Sequence, residues 1–211
     1  KVRKIRNHSQ GLKTFKSVTI LKRPHNVGQP SNSFLAFKEI LCDHDRLIIL
    51  EDDVVVGKYF LEFLNNGLTK YYDDENICGV CAHLPPQIDN LKKKPFFLDR
   101  RVPYGFAIWR HKEEKLRSFS MQSGIKHATN ILKDKKKFMK IANFGPHIIA
   151  TFPLMADGHR EAGDVEVSTY MHLNNKLALY PNRTLSTNNG NDGSGINGVG
   201  RSLWGQIHLN F

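Results

Sequence analysis

Three consecutive acidic residues, Glu51, Asp52 and Asp53, are the strongest candidates for chemistry in this sequence. They directly follow residues 47–50 (LIIL), a continuous apolar run that is typical of a strand covered on both faces. Clustered carboxylates repel one another, and burial disfavours their ionised forms. Magnesium and manganese ions bind carboxylate oxygens, often one or two from the protein together with the phosphates of a substrate. The triplet therefore predicts a divalent-metal site that stabilises the charge on a diphosphate leaving group.

The triplet also has a purely structural interpretation. A helix is predicted at residues 59–72, and acidic residues near a helix N-terminus stabilise the helix dipole. On spacing alone, both interpretations stay open. Metal-dependent phosphotransferases and nucleases use clustered carboxylates as well, although they usually draw them from several chain segments around two metal ions. That alternative also stays open.

Strand and helix patterns alternate around the triplet. Apolar and β-branched runs predict strands at residues 17–21, 47–50 and 77–82, with helices at 32–42 and 59–72 between them. This order predicts βαβ units, and hence a mostly parallel sheet flanked by helices. Ligands of such sheets bind beyond the carboxyl ends of the strands, where the triplet lies.

The second half of the chain is less regular. Strand-like segments are expected at residues 95–98 and 177–180, and helices are expected near 111 and at 122–140 and 164–174. Residues 186–200 are rich in Asn and Gly, which predicts a loop or a mobile lid. Cys78 and Cys81 form an isolated Cys-x-x-Cys pattern within a short apolar run, so we expect two buried strand residues without redox or zinc chemistry.

Length and charge narrow the class of protein. With 211 residues, 40% of them hydrophobic, the chain can bury one substantial core, so we expect a single domain over residues 1–211. The formal net charge of +11 predicts attraction to polyanions, anionic lipid headgroups or phosphate-bearing substrates, and does not distinguish among them. The lysine-rich run at 133–140 carries no nucleic-acid motif, so we expect a solvated helix face and no nucleic-acid partner.

Several stretches together resemble one enzyme family. Residues 47–56 (LIILEDDVVV) with 59–61 (YFL) are similar to the signature of glycosyltransferases of the GT-A fold, particularly N-acetylglucosaminyltransferase I and related bacterial sugar transferases. Residues 23–28 (RPHNVG) resemble the Arg-Pro-x-Asn-x-Gly turn of the bacterial enzymes, and residues 104–109 (YGFAIW) resemble their Trp-Gly-Trp-Ala-Thr-Trp segment. The Leu-Tyr-Pro and Gly-Phe-Asp-Gly-Ser-Gly stretches of the family have counterparts at 177–181 and 189–195.

The resemblance implies a Rossmann-like GT-A fold and an activity. A hexose or N-acetylhexosamine would pass, with inversion, from a nucleoside-diphosphate sugar to a glycan hydroxyl. Asp53 is implied as the ligand of Mn²⁺ or Mg²⁺, with Glu51 and Asp52 as contacts to the sugar or ribose of the donor. Further donor-binding residues are implied as follows: Arg23, Tyr104, Gly105 and Ser194.

The resemblance also implies a catalytic base. Asp164 falls where the family places the acid that heads a helix, with Glu166 as the second candidate and Asp157 as the third. A base must lie within hydrogen-bond reach of the acceptor hydroxyl. Asp is equally a common helix N-cap, so a structural role for Asp164 stays open. His208 is a candidate additional metal ligand.

Two departures from the family pattern matter. The first strand and helix of the family would precede Lys1, so the resemblance implies a domain that lacks its first βα element. Tyr104, Phe106 and Ile108 replace Trp, Trp and Thr of the family, which bears on sugar specificity. Tyr104, Phe106 and Trp109 are candidates for an aromatic wall against which a sugar ring stacks, and for Phe106 and Trp109 core packing is an equal alternative. The alternative function is an inactive or truncated GT-A-like protein that binds nucleotide sugars or carbohydrate.

The resemblance also bears on location. The bacterial relatives imply a cytoplasmic location with peripheral membrane contact through the basic surface, and a eukaryotic source would imply the Golgi lumen.

Overall fold

The computed structural model describes residues 13–84, 93–120, 124–142, 146–158 and 163–190. The chain divides into two compact units, Lys1–Cys42 and Asp43–Phe211. The expectation of one domain over residues 1–211 stays a prediction. Among the helices of the described ranges, none has both the length and the apolar character needed to cross a bilayer.

Helix α1 (Gln29–Asp43) begins in the first unit and confirms the helix predicted at 32–42. The strand predicted at residues 17–21 is wrong, because these residues have no regular secondary structure and take part in no described strand pairing. Val18 and Leu21 are 40% and 39% exposed. Apolar, β-branched residues form a strand only where a neighbouring strand completes their backbone hydrogen bonds.

The second unit alternates strands and helices. Its described elements are, in chain order, β1 (Arg46–Ile49), β2 (Val54–Val56), α2 (Phe60–Lys70), β3 (Ile77–Cys81), β4 (Phe96–Leu98), β5 (Phe106–Trp109), α3 (Arg110–Ser120), α4 (Gly124–Lys133), α5 (Lys135–Ala142), α6 (Pro146–Ala156), α7 (Gly163–Leu173), β6 (Leu177–Tyr180) and β7 (Ser186–Asn188). Most predicted elements of this unit are confirmed within a few residues at each end.

The long helix predicted at 122–140 is two helices. They meet at Asp134, whose side-chain oxygen accepts the backbone N–H groups of Lys136 and Lys137, each at 3.1 Å. Asp is a strong N-cap, so it begins α5 at the point where α4 ends. Helix α6 was not predicted, because its sequence is apolar without helical periodicity and contains Pro153.

The main sheet has five strands in the order β1-β5-β3-β6-β4. Strands β3 and β6 are parallel, whereas the described pairs β1–β5, β5–β3 and β6–β4 are antiparallel. The fold is therefore α/β, with a mixed sheet flanked by helices where a mostly parallel sheet was expected. The difference arises from β5, which inserts between β1 and β3 and runs against both. Strands β1, β3 and β6 still point the same way, so their carboxyl ends share one edge.

A second, two-stranded sheet joins β2 to β7, with Val54 opposite Asn188 and Val56 opposite Ser186. Both strands were missed by the sequence patterns. Residues 186–188 were expected to begin a loop or lid, and this part of the prediction is wrong. The pairing brings residues from near the end of the described chain against the segment that follows the acidic triplet.

Two apolar clusters hold the second unit together. In the first, Phe60, Leu64 and Leu68 of α2 pack on Val80 of β3 and Trp109 of β5. The indole N–H of Trp109 also donates to the Leu68 carbonyl at 2.9 Å. The second cluster joins the helices α4 to α7 through the buried residues Ala128, Ile131, Ile141, Ile148, Phe152, Met155 and Val165.

Cys78 and Cys81 are buried free thiols of β3, which confirms the prediction of buried strand residues. Burial raises the pKa of Cys78 to about 11 and also raises the pKa of Cys81. Because the thiolate is the form that attacks disulfides and binds metals, both residues are poorly suited to redox or zinc chemistry at neutral pH.

The packing of α2 can be tested with a matched pair of leucines. Leu64 is fully buried, whereas Leu61 on the same helix is 58% exposed. We expect Leu64→Ala to lower the free energy of unfolding by about 2–5 kcal/mol, because it leaves a cavity against the sheet. Leu61→Ala should change it by less than about 0.5 kcal/mol. Urea denaturation followed by circular dichroism measures both, and equal losses would contradict this packing.

Candidate functional site

The acidic triplet leaves the carboxyl end of β1 and turns into β2. The carbonyl of Glu51 accepts the N–H of Val54 at 3.2 Å, so Asp52 and Asp53 occupy a tight turn at the shared strand edge. Asp52 is exposed, whereas Glu51 and Asp53 are partly buried. Strand β2 separates this turn from α2, and the helix dipole acts only within the first turn of a helix. The interpretation of the triplet as a helix N-terminus is therefore wrong.

The chain after β7 lies directly against Asp53. The Asp53 carbonyl accepts the N–H of Asn189 at 2.8 Å, and the N–H of Gly190 donates to the side-chain oxygen of Asn188 at 2.7 Å. A Cβ atom on Gly190 would overlap the Asp53 carboxylate, with the carboxylate carbon 3.0 Å away. Only a glycine allows the backbone to come this close. Sequence analysis missed this contact, for which the Asn- and Gly-rich composition was the available signal.

One carboxylate oxygen of Asp53, Oδ1, is buried and has no hydrogen-bond partner among the described residues. An unpartnered buried acceptor is costly, and a cation bound there would remove the cost. Within the described ranges, no three side chains of His, Cys, Asp or Glu come together to hold a metal ion. Asp53 thus fits a metal that takes one or two protein carboxylates and completes its coordination with substrate phosphates.

The electrostatics of the site link residues that are distant in the sequence. Burial raises the pKa of Glu51, and the nearby charges of Asp53 and Asp52 raise it further. Burial likewise raises the pKa of the Tyr104 hydroxyl. Three carboxylates raise the Tyr104 pKa further, in the order Glu51, Asp53 and Asp164. The fold therefore brings Glu51, Asp53 and Asp164 within electrostatic range of Tyr104.

Tyr104 precedes a tight turn at Gly105. Gly105 has a φ of +88°, which favours glycine, and a Cβ atom there would lie 2.8 Å from the ring of Phe60. The N–H of Ala82 donates to the Gly105 carbonyl at 2.9 Å, and the hydroxyl of Ser186 donates to the Tyr104 carbonyl. Gly105 thus allows a close approach between this turn and Phe60.

Buried polar residues also contact this turn, and their role was not predicted from the sequence. The imidazole of His83 is fully buried, and its Nδ1 lies 2.9 Å from the Ser186 carbonyl, to which it donates. The hydroxyl of Thr184 donates to the same carbonyl at 2.8 Å. The His83 ring meets the Tyr104 ring edge-on, with 5.1 Å between the ring centres. His83 follows the end of β3 and Thr184 precedes the start of β7, so these residues meet only in the folded chain.

Of the three aromatic residues considered for a sugar-stacking wall, only Tyr104 is accessible. Phe106 is 7% exposed and Trp109 is fully buried, so both pack in the core. Tyr104 is partly exposed and stays a candidate for stacking against a sugar ring.

The candidate bases lie in a helix or in the turn after a helix of the second unit. Asp164 is exposed in the first turn of α7, and Glu166 is partly buried in the same turn. Asp157 is exposed in the turn after α6. The influence of Asp164 on Tyr104 favours it over Asp157 as a member of the site.

The other predicted residues do not belong to the described part of the second unit. Arg23 belongs to the first unit, where its guanidinium forms an ion pair with Glu39 and its Nε donates to the side-chain oxygen of Asn32 at 3.3 Å. Ser194 and His208 lie outside the described residues.

No protein-family model matches this chain, and no curated protein matches it.

The raised pKa of Glu51 predicts a pH-dependent effect of its removal. A carboxyl whose pKa is higher in the folded protein than its ordinary value of 4.5 makes the folded state bind more protons, so stability falls as pH rises through that window. In the presence of a chelator, we expect Glu51→Gln to raise the thermal midpoint at about pH 7 and to leave it unchanged at about pH 3. Glu114→Gln, an exposed substitution on α3, is the control. A lower midpoint for Glu51→Gln at neutral pH would contradict this electrostatic environment.

Proposed function

We propose that this protein is a divalent-metal-dependent glycosyltransferase with a fold of the GT-A type. It transfers a hexose or N-acetylhexosamine from a nucleoside-diphosphate sugar to a glycan hydroxyl. The observation that carries the proposal is the buried Oδ1 of Asp53, which has no hydrogen-bond partner within the described ranges and lies in an acidic turn at the shared carboxyl edge of the sheet.

Asp53 holds the cation in this proposal. When bound, Mn²⁺ or Mg²⁺ supplies positive charge that stabilises the diphosphate leaving group. The need for it follows from the local charge, since an anionic diphosphate approaching three carboxylates would be repelled. The backbone at Gly190 approaches the Asp53 carboxylate closely and limits the space on that side.

Glu51, Asp52 and Tyr104 bind the donor. Carboxylate oxygens accept hydrogen bonds from the hydroxyls of a sugar or a ribose. Glu51 is partly buried beside the turn, and Tyr104 offers a partly exposed ring for an apolar face of the sugar. The turn at Gly105 fixes the direction in which Tyr104 leaves the sheet.

Asp164 acts as the catalytic base. The acceptor hydroxyl oxygen attacks the anomeric carbon, the bond from that carbon to the diphosphate oxygen breaks, and the hydroxyl proton passes to the Asp164 carboxylate. A single displacement of this kind inverts the anomeric configuration. Asp164 is exposed, as a group that meets an incoming acceptor must be, and its charge reaches Tyr104.

The metal site is tested first by thermal unfolding with a panel of nucleoside diphosphates, each with and without Mn²⁺. A ligand that binds only the folded state, present at about 100 times its Kd, stabilises that state by about 2.7 kcal/mol. We expect a shift that requires both nucleotide and metal, and we expect Asp53→Asn to remove it while the unliganded midpoint stays close to that of the parent. Asp73→Asn, an exposed substitution in the turn after α2, should keep the shift.

Two outcomes would contradict the proposal. No shift with any nucleotide–metal pair would exclude donor binding by this chain. An undiminished shift in Asp53→Asn would exclude Asp53 as the ligand. A shift without sugar transfer by the parent would instead indicate a protein that binds nucleotide sugars and does not use them.

The base is tested by transfer rates. We expect Asp164→Asn to keep the metal-dependent nucleotide shift but to lower the rate of transfer by about 100-fold or more, the usual contribution of a positioned base. Glu166→Gln in the same turn of α7 is the matched comparison and should keep most of the rate. The reverse result would assign the base to Glu166.

A further inference from the structure

The loop that carries Tyr104 begins at a buried cluster of charges. Arg101 Nη1 lies 2.9 Å from Glu113 Oε2, and only 6% and 2% of these two side chains are exposed. Arg117 Nη2 lies 3.1 Å from the other oxygen of Glu113, Oε1. We refer to Arg101, Glu113 and Arg117 as the charge cluster. Both carboxylate oxygens of Glu113 are thus paired with arginine.

Burial of such a pair is not explained by stability alone. Removing ions from water costs about as much as their attraction returns, and apolar replacements of similar volume are often neutral or stabilising. Burial by itself would lower the pKa of Arg101, but the charge and hydrogen bond of Glu113 outweigh burial and raise it. Arg101 is therefore a fixed charge whose place is set by Glu113.

Other contacts lock the Arg101 side chain along its length. Its guanidinium lies over the Phe106 ring, 4.8 Å from the ring centre. Its stem crosses β3 at Gly79, where a Cβ atom would lie 3.2 Å from Arg101 Cδ. Because Gly79 has no side chain, the Arg101 stem can pass close to β3 at this position. Because α3, β3 and β5 all contribute, the side chain has little freedom to move.

The backbone on both sides of Arg101 is fixed as well. The hydroxyl of Tyr180, a fully buried residue, donates to the Arg100 carbonyl at 2.9 Å. Further along, the N–H of Gly105 donates to the Pro103 carbonyl at 2.9 Å. Arg101 connects this stretch to α3, and the stretch ends at Tyr104, whose hydroxyl lies in the field of the site carboxylates.

We infer that Arg101, held by Glu113, is a positioning residue that sets where Tyr104 stands relative to the acidic turn and Asp164. The inference rests on the proposed function, since Tyr104 matters there as a donor contact. The charge cluster contains its own comparison: Arg117 pairs with the same Glu113 but lies on α3, outside the loop.

The experiment compares Arg101→Met with Arg117→Met, each of which leaves Glu113 with one arginine. The first readout is the affinity for the nucleoside diphosphate that stabilises the parent with Mn²⁺, measured by calorimetry. We expect Arg101→Met to weaken it by about tenfold or more, because small displacements of a binding group cost affinity steeply, while Arg117→Met stays within about twofold. Both should lower the thermal midpoint by similar amounts.

The second readout does not depend on the proposed function. Amide hydrogen exchange at Ala82 and Gly105 reports the hydrogen bonds that close the Tyr104 turn. We expect Arg101→Met to speed exchange at these amides by about tenfold and Arg117→Met to leave it unchanged. If the parent binds no nucleotide, the proposed function fails, and exchange alone decides whether Arg101 positions the turn.

Two results would overturn the inference. Equal effects of the two variants on exchange and affinity would mean that the charge cluster supports the fold without positioning Tyr104. An Arg101→Met protein with parental exchange would mean that the turn is set by other contacts. Should Arg101→Met fail to fold, Arg101→Lys replaces it, because lysine keeps the charge beside Glu113 but loses the planar fork that also covers Phe106. The same two readouts then apply.

Discussion

The insertion of β5 between β1 and β3 is the constraint on which the rest of the second unit depends. Its four residues are buried and pair with β1, and Phe106 and Ala107 also pair with β3, so backbone polar groups of this buried strand are paired within the sheet. Because β5 runs against both strands, β1 and β3 point the same way although they are not adjacent. The chain enters β5 through the turn at Gly105 and leaves it at Trp109, the residue that packs on α2. One strand therefore fixes the site at one end and the core at the other.

The net charge of the chain and the charge of the candidate site have opposite signs. The chain as a whole carries a formal charge of +11, yet the candidate site gathers carboxylates around Tyr104. A basic surface draws phosphate-bearing molecules towards the protein, whereas the site itself would repel them. The cation of the proposed function would invert the local sign and so allow a phosphate-bearing molecule to bind. The buried Oδ1 of Asp53 is the atom at which this inversion would take place.

Local patterns were sufficient for the elements whose signal lies within their own sequence. Helix α2 and strand β6 were predicted because apolar spacing or a short apolar run reports them directly. The segment at 17–21 has an equally good local pattern but has no strand neighbour among the residues that the structure describes. The direction of β5 depends on pairings that no local pattern encodes. Within the site, the triplet was visible because its residues are consecutive. His83, Ser186 and Gly190 were not, since their roles arise from contacts between segments more than a hundred residues apart.

The contact between Gly190 and Asp53 has a consequence for how this sequence can vary. The two positions share one volume, so a side chain at 190 and a carboxylate at 53 exclude each other as long as β2 and β7 remain paired. Variation at these positions should therefore be coupled: a chain with a bulkier residue at 190 must shorten residue 53 or separate the two strands. A glycine in what looks like a permissive, Asn-rich segment is in this respect as constrained as a residue of the core.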